Sequence, residues 1–276
     1  MTIRETIKSI EQALQAIYEP VEATSIAREV VQRISGYNFS QLVVNYDSQY
    51  EIADLQQIVE KLMAGCPVQY VTGVAEFCDL DFEVCQGVLI PRPETAELVK
   101  IVVENSLGNK RILDVGTGSG AIAVSLAKTL KDSRVVAVDI SDIALEVAAR
   151  NATRNGVEVE FVKVDALGDM SSLGLFDIIV SNPPYIPNSD RESMHVNVVG
   201  YEPHTALFVA DDDALCFYRS IAQNALQMLK KGGTLYFEIY ELFGHDIAQM
   251  LSQMGFRDIE VVKDMFGKER IVWCKR

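Results

Sequence analysis

Histidine is scarce in this 276-residue chain, which has three, and its five cysteines stand singly with no C-x-x-C spacing. A structural or catalytic metal therefore has no ligand set to build on, and none is expected. Cys66, Cys78, Cys85, Cys216 and Cys274 are odd in number and scattered, so they read as reduced thiols of a cytoplasmic protein. Basic charge is short as well: 25 Lys and Arg against 39 Asp and Glu give a formal net charge of −14. That balance works against non-specific nucleic-acid binding, which draws its affinity from cation–phosphate contacts. No apolar run is long enough to span a bilayer, and the start Met1-Thr-Ile-Arg-Glu-Thr lacks the basic and apolar blocks of a signal peptide. The reading is of a soluble, monomeric cytoplasmic protein with no membrane partner and no stable nucleic-acid partner. Internal repeats and low-complexity segments are missing too. What the chain does have is 49% hydrophobic residues and a mean hydropathy of +0.11, enough for a large core and two domains.

The most informative segment is Asn182-Pro183-Pro184-Tyr185, placed directly after the apolar run Phe176 to Ser181. Two prolines fix φ and carry no N–H, so the loop is stiff and its carbonyls are free to accept hydrogen bonds. A planar NH2 group fits such a loop. The Asn182 side-chain oxygen and the Pro183 carbonyl can each take one N–H, while the Tyr185 ring covers the flat face. The plainer alternative is that Pro-Pro merely ends a buried strand.

Upstream, the buried run Arg111 to Val115 leads into Gly116-Thr117-Gly118-Ser119-Gly120 and then the apolar helix Ala121 to Ala127. Gly116 and Gly118 allow a tight turn and close approach to a ligand, and Gly120 allows the following helix to pack on the strand. A second strand, Arg134 to Asp139, ends in a carboxylate about 20 residues beyond the last glycine, where an acid reaches ribose hydroxyls. The spacing is G-x-G-x-G, which leaves little room for a pyrophosphate on a helix N-terminus. S-adenosyl-L-methionine is therefore favoured over NAD. Asp114 points the same way, because a carboxylate before the turn can face a cationic amino-acid moiety and would repel phosphate. The alternative for Asp114 and Asp139 is a pair of solvated strand-end acids.

Periodicity divides the chain. Residues 1–66 read as a small helical bundle, with Ile7, Ile10, Leu14 and Ile17 on one face, a helix stop at Gly36, and a fourth helix from Tyr50 to Met63. Residues 67–90 read as a β-hairpin connector broken by Gly73 and Gly87. Residues 91–276 open with a helix at Pro91-Arg92-Pro93 and continue as an α/β domain. Its strands are expected at 111–115, 134–139, 158–164, 176–181, 233–239, 256–262 and 270–275, with Lys231-Gly232-Gly233 as the turn into the fifth. This is the class I methyltransferase pattern: Rossmann-like, seven-stranded and mainly parallel, here with an all-α N-terminal domain. Residues 187–208 show no period and are a candidate substrate loop.

Several segments together resemble the PrmC/HemK family, the protein-(glutamine-N5) methyltransferases of peptide-chain release factors. They are Pro67 to Gly73, Val88-Leu-Ile-Pro-Arg-Pro-Glu-Thr95, Ile112 to Gly120, Val180 to Ile186, and Tyr201-Glu-Pro203 with Ala206-Leu207. The resemblance implies a helical domain that helps dock the release factor and a glutamine substrate in a Gly-Gly-Gln loop. It implies that Gly116, Thr117, Gly118, Ser119, Gly120 and Asp139 bind S-adenosyl-L-methionine, with Asp165 and Ala166 near the adenine. Asn182 would sit between cofactor and substrate, and Asn182, Pro183, Pro184 and Tyr185 would grip the amide; Arg92, in the Pro-Arg-Pro segment that the helix opening places near the catalytic face, is a further candidate substrate-binding residue. Two departures stand out: Glu238-Ile-Tyr-Glu-Leu-Phe-Gly244 replaces the family's Glu-x-Gly-x-x-Gln, and Ala166 stands where relatives can carry a large ring. A rival reading is an amino-methylating enzyme acting on RNA or a ribosomal protein.

Overall fold

The computed structural model describes residues 1–276, which divide into two compact units: Met1–Val74 with His195–Tyr201, and Ala75–Met194 with Glu202–Arg276. In the first, α1 (Ile3–Leu14), α2 (Pro20–Ser35), α3 (Phe39–Val44), α4 (Leu55–Met63) and α5 (Val68–Thr72) surround a core of Ile3, Ile7, Ile10, Leu14, Ala23, Ala27, Val30, Val31, Leu42 and Leu62. Capping sets the helix starts. Thr2 and Glu5 exchange side-chain and backbone bonds at 3.2 and 2.8 Å at the head of α1, and Asn38 with Gln41 repeats the device on α3. Gly36 ends α2 in the left-handed region, as its place in the sequence suggests.

Three expectations for this stretch fail. Ile17 lies beyond the end of α1 and is half exposed, because the helix stops at Leu14. The fourth helix begins at Leu55 rather than Tyr50, although Ile52 is still buried from the preceding loop. The segment after Pro67 is helical, not extended, with Pro67 supplying the N-cap backbone of α5. The two-stranded β1 (Val74–Phe77) and β2 (Leu80–Glu83) follow, and their tight turn is made by Cys78 and Asp79, both at positive φ.

The second unit continues with α6 (Pro93–Glu104), β3 (Arg111–Val115), α7 (Ala121–Thr129), β4 (Arg134–Asp139), α8 (Asp142–Arg154), β5 (Glu160–Lys163) and β6 (Phe176–Ser181). The irregular stretch that follows contains β7 (Ile186–Pro187), α9 (Val196–Val199, part of the first unit), α10 (His204–Leu207) and β8 (Phe208–Val209). Then come α11 (Cys216–Met228), β9 (Leu229–Glu238), α12 (Gly244–Gln253), β10 (Arg257–Lys263) and β11 (Glu269–Lys275). Seven strands form one sheet in the order β10-β11-β9-β6-β3-β4-β5, parallel except for the β9–β11 and β10–β11 pairs.

Continuous apolar runs suit strands covered on both sides. Ile112, Val135, Ile178 and Val180 face α6 and α7, while Leu113, Val136, Ile179 and Leu235 face α11 and α12. Lys231-Gly232-Gly233 is not a turn into β9 but a bulge within it. The partner of β6 jumps from Leu229 opposite Phe176 to Thr234 opposite Ile178. Strand order reverses between β3 and β6, so the crevice at the carboxyl ends of β3, β4 and β6 is where an open α/β sheet binds ligands. No helix is long and apolar enough to cross a membrane.

Candidate active site

A cavity of about 430 Å³ opens at that crevice, within the usual size range for a small-molecule site. The glycine loop forms one wall. Gly116 and Thr117 donate their N–H groups to the Val138 carbonyl at 2.9 and 3.0 Å, which ties the loop to the end of β4. Asp139 completes the wall: its carboxylate accepts from Gly118 N at 2.9 Å and from Ser141 N at 2.9 Å. Thr117 and Ser119 also line the cavity. Gly118, at φ +56°, has nothing within 4 Å of where a Cβ would stand, so a ligand can lie directly on its backbone.

Two members of the sequence-predicted cofactor set lie elsewhere. Gly120 is outside the cavity wall, and its missing side chain lets α7 approach α8: a Cβ there would stand 3.0 Å from that of Ala148. Asp114 does not line the cavity. It is fully buried on the α7 side of β3, accepting from Thr117 Oγ1 at 2.7 Å and Ala123 N at 3.2 Å, with Oδ1 unpartnered. Burial pushes its carboxyl up to about 7, against the pull of those two hydrogen bonds. A strand-end acid can point outward or back beneath the loop, and the alternation along β3 puts Asp114 on the Ile112 side, toward α7.

Asp165 and Ala166 line the far end, where the Ala166 carbonyl accepts from Ser220 Oγ at 2.7 Å. Apolar surface there comes from Ile140, Leu167, Phe217 and Ile221, none of which sequence reasoning singled out. Ile140 and Leu167 are each more than half exposed. An apolar residue directly after Asp139 was the available signal.

The Asn-Pro-Pro loop forms the opposite wall, with Asn182, Pro183 and Pro184 all on the cavity. Its start is fixed because Ser181 Oγ donates to the Val115 carbonyl at 2.7 Å, joining the ends of β6 and β3. Asn182 Nδ2 donates to Thr95 Oγ1 at 3.2 Å, which leaves Asn182 Oδ1 as its free acceptor. Tyr185 departs from expectation. It is not on the cavity wall; its hydroxyl donates to Glu238 Oε1 at 3.3 Å and its ring stacks on Tyr240 at 6.2 Å. It buttresses the loop from behind. Arg92 does reach the cavity, paired with buried Glu202, whose other oxygen accepts from Ile90 N at 3.2 Å. That pairing joins the Pro-Arg-Pro segment to Glu202, whose anchoring of Arg92 the sequence did not reveal. No cluster of His, Cys, Asp and Glu is arranged to hold a metal.

A family model described as the PrmC N-terminal domain matches residues 5–73, and one described as the methyltransferase small domain matches residues 94–199. The release factor glutamine methyltransferase of Bacteroides thetaiotaomicron is 42% identical over 271 residues, covering 97% of this chain and 98% of that one. The protein of the same name from Flavobacterium psychrophilum is 40% identical, over 99% and 98%. The chain belongs to the release factor glutamine methyltransferase family. Its fold is the class I S-adenosyl-L-methionine-dependent one. The crystal structure of a methyltransferase from Pyrococcus furiosus superimposes with a TM-score of 0.54 at 20% identity, over 81% of this chain and 98% of that one, a likeness of fold.

As in this family, the methyl donor is S-adenosyl-L-methionine. The residues present fit it. The backbone at Gly116 and Gly118 leaves a cradle that Cβ atoms would fill, Asp139 stands at the end of β4, and the Ile140, Leu167 and Phe217 side chains offer apolar surface for a flat base.

Proposed function

We propose that this enzyme methylates the side-chain amide nitrogen of the glutamine in the Gly-Gly-Gln motif of peptide-chain release factors. The observation that carries this reading is that Asn182 and Pro183 line the same cavity as Gly116, Gly118 and Asp139. Acceptor and donor can therefore meet across it. When bound, S-adenosyl-L-methionine supplies an electrophilic sulfonium methyl.

An amide nitrogen is a poor nucleophile because its lone pair is conjugated with the carbonyl, so the chain must contribute alignment. Asn182 Oδ1 and the Pro183 carbonyl each accept one N–H of the acceptor, which fixes the plane of the amide and turns its nitrogen toward the glycine loop. Such alignment can supply roughly 7–11 kcal/mol of the barrier. The stiffness of Pro183-Pro184 and the Ser181 tether keep the two acceptors from relaxing. No histidine lines the cavity, and the proton released as the nitrogen gains its methyl is left to solvent. The net charge of −14 supports a protein substrate over nucleic acid.

The test is incubation of the enzyme with isotopically labelled cofactor and a purified release factor, followed by peptide mass mapping. Label confined to the Gly-Gly-Gln peptide is the expected result. Label on other peptides, or on ribosomal RNA in place of the release factor, would overturn the reading.

A further inference from the structure

Asn182 leans on three polar residues that the transfer step does not itself use: Thr95, which also lines the cavity, Glu238 and Tyr185. Thr95 is 4% exposed and Glu238 is 1% exposed. Thr95 Oγ1 accepts the Asn182 Nδ2 hydrogen, so the single hydroxyl proton of Thr95 must go elsewhere. Glu238 Oε2 is buried and has no hydrogen-bond partner, and the neighbouring Thr95 hydroxyl, which favours the ionised carboxylate, is the donor available to it. Oε1 is taken by the Tyr185 hydroxyl. An ionised carboxylate can only accept. It therefore orients the Thr95 proton toward itself and leaves the Thr95 lone pairs for Asn182.

We propose that Thr95 and Glu238 are positioning residues that lock the Asn182 amide with its NH2 turned inward and its Oδ1 presented to the acceptor nitrogen. This rests on Asn182 gripping the substrate amide. An unlocked Asn182 could flip and offer NH2 to the substrate's NH2, two donors facing each other with no bond between them.

The arrangement depends on the charge of Glu238, whose carboxyl burial pushes up to about 7. Arg270, Thr95 and Tyr185 favour its ionised form, while Glu94 opposes it. The Tyr218 hydroxyl donates to the Glu238 backbone carbonyl at 3.1 Å and leaves the carboxylate alone. Once protonated, Glu238 can donate to Thr95 Oγ1, which frees the Thr95 proton to turn toward Asn182 and oppose its NH2. The lock then loosens below neutral pH.

The full-length enzyme, with a release factor as substrate, is compared with Thr95→Val, Thr95→Ser, Glu238→Gln and Asn182→Ala. The readouts are kcat, KM, calorimetric Kd for S-adenosylhomocysteine and the urea midpoint. Thr95→Val should lower kcat about 10- to 100-fold with KM and Kd within about threefold, because alignment and not binding is lost. Thr95→Ser, which keeps the hydroxyl, should restore most of it. Wild-type kcat should rise with pH through a step near the Glu238 pKa, and Glu238→Gln should abolish that step. If Thr95→Val keeps wild-type kcat while Asn182→Ala loses it, the lock is refuted and the Asn182 role stands. Full kcat in Asn182→Ala would instead remove the role on which the lock depends. A fall in kcat matched by equal losses in Kd and urea midpoint would make Thr95 a packing residue, and a pH step that survives in Glu238→Gln would remove Glu238 from the lock.

Discussion

Gly118→Ala and Gly120→Ala place the same methyl two residues apart on one loop, and the structure assigns them opposite consequences. Both positions are left-handed, at φ +56° and +82°, so each substitution carries a backbone penalty of roughly 1–2 kcal/mol. At Gly118 the new Cβ meets no protein atom within 4 Å and stands on the cavity wall. The fold should lose little beyond that backbone penalty. A ligand lying on the loop must yield space to the methyl, at roughly 1–3 kcal/mol, or about 5- to 150-fold in Kd. At Gly120 the Cβ would stand 3.0 Å from Ala148 Cβ and 3.2 Å from its Cα, both on α8. Neither atom can swing away, so overpacking adds to the backbone penalty for a total of roughly 2–5 kcal/mol. Affinity of the folded fraction should then stay near wild type, because Gly120 is off the wall. Urea midpoints and calorimetric Kd for S-adenosyl-L-methionine, taken on both variants, separate the two effects. Wild-type affinity in Gly118→Ala, or equal stability of the two variants, would refute the assignment of the cavity wall.

The buried carboxyl of Asp114 makes stability depend on pH. Its folded pKa, about 7, is raised above the unfolded value, so the native state holds the proton longer; stability is highest below about pH 4 and falls as pH rises toward 7. Asp114→Asn should remove this part of the slope, at most on the order of 4 kcal/mol, leaving urea midpoints at pH 5 and pH 8 closer together than in wild type. An unchanged slope would contradict the burial. Glu202→Ala deprives Arg92 of its partner and Ile90 N of its acceptor, and should lower the unfolding free energy by roughly 1–3 kcal/mol, read as a lower urea midpoint, and raise KM for the release factor. Neutral effects on both would show that the Pro-Arg-Pro segment needs no such anchor. Asn182→Ala should cut kcat by at least about tenfold while Kd for the cofactor moves little, and equal losses in both would contradict an aligning role.

Much of the fold was legible because its signals are local. Apolar runs bounded by glycine and proline located the seven strands of the large sheet to within a few residues, whereas the order of those strands is known only from the fold. Errors came where tertiary context decides. Val68–Thr72 became helical beyond Pro67, Lys231-Gly232-Gly233 was absorbed into a bulge of β9, and Ile17 fell past a helix end. At the site, residues that line the cavity were readable from motif spacing: Gly116, Gly118, Asp139 and Asn182 share it. Asp114 and Tyr185 carried the same motif signal, yet they brace the walls from behind. Whether a side chain faces the cavity or its support depends on strand alternation and on partners distant in sequence. Glu238 is 53 residues from the Tyr185 hydroxyl it receives, and Glu202 is 110 from Arg92. No short-range pattern encodes such pairs.

A crystal structure of the enzyme with S-adenosylhomocysteine and a Gly-Gly-Gln peptide measures the central geometry directly. The glutamine amide nitrogen should lie within hydrogen-bonding distance of both Asn182 Oδ1 and the Pro183 carbonyl, facing the sulfur across the cavity. A glutamine seated elsewhere, or an Asn182 that turns its NH2 to the peptide, would contradict the account.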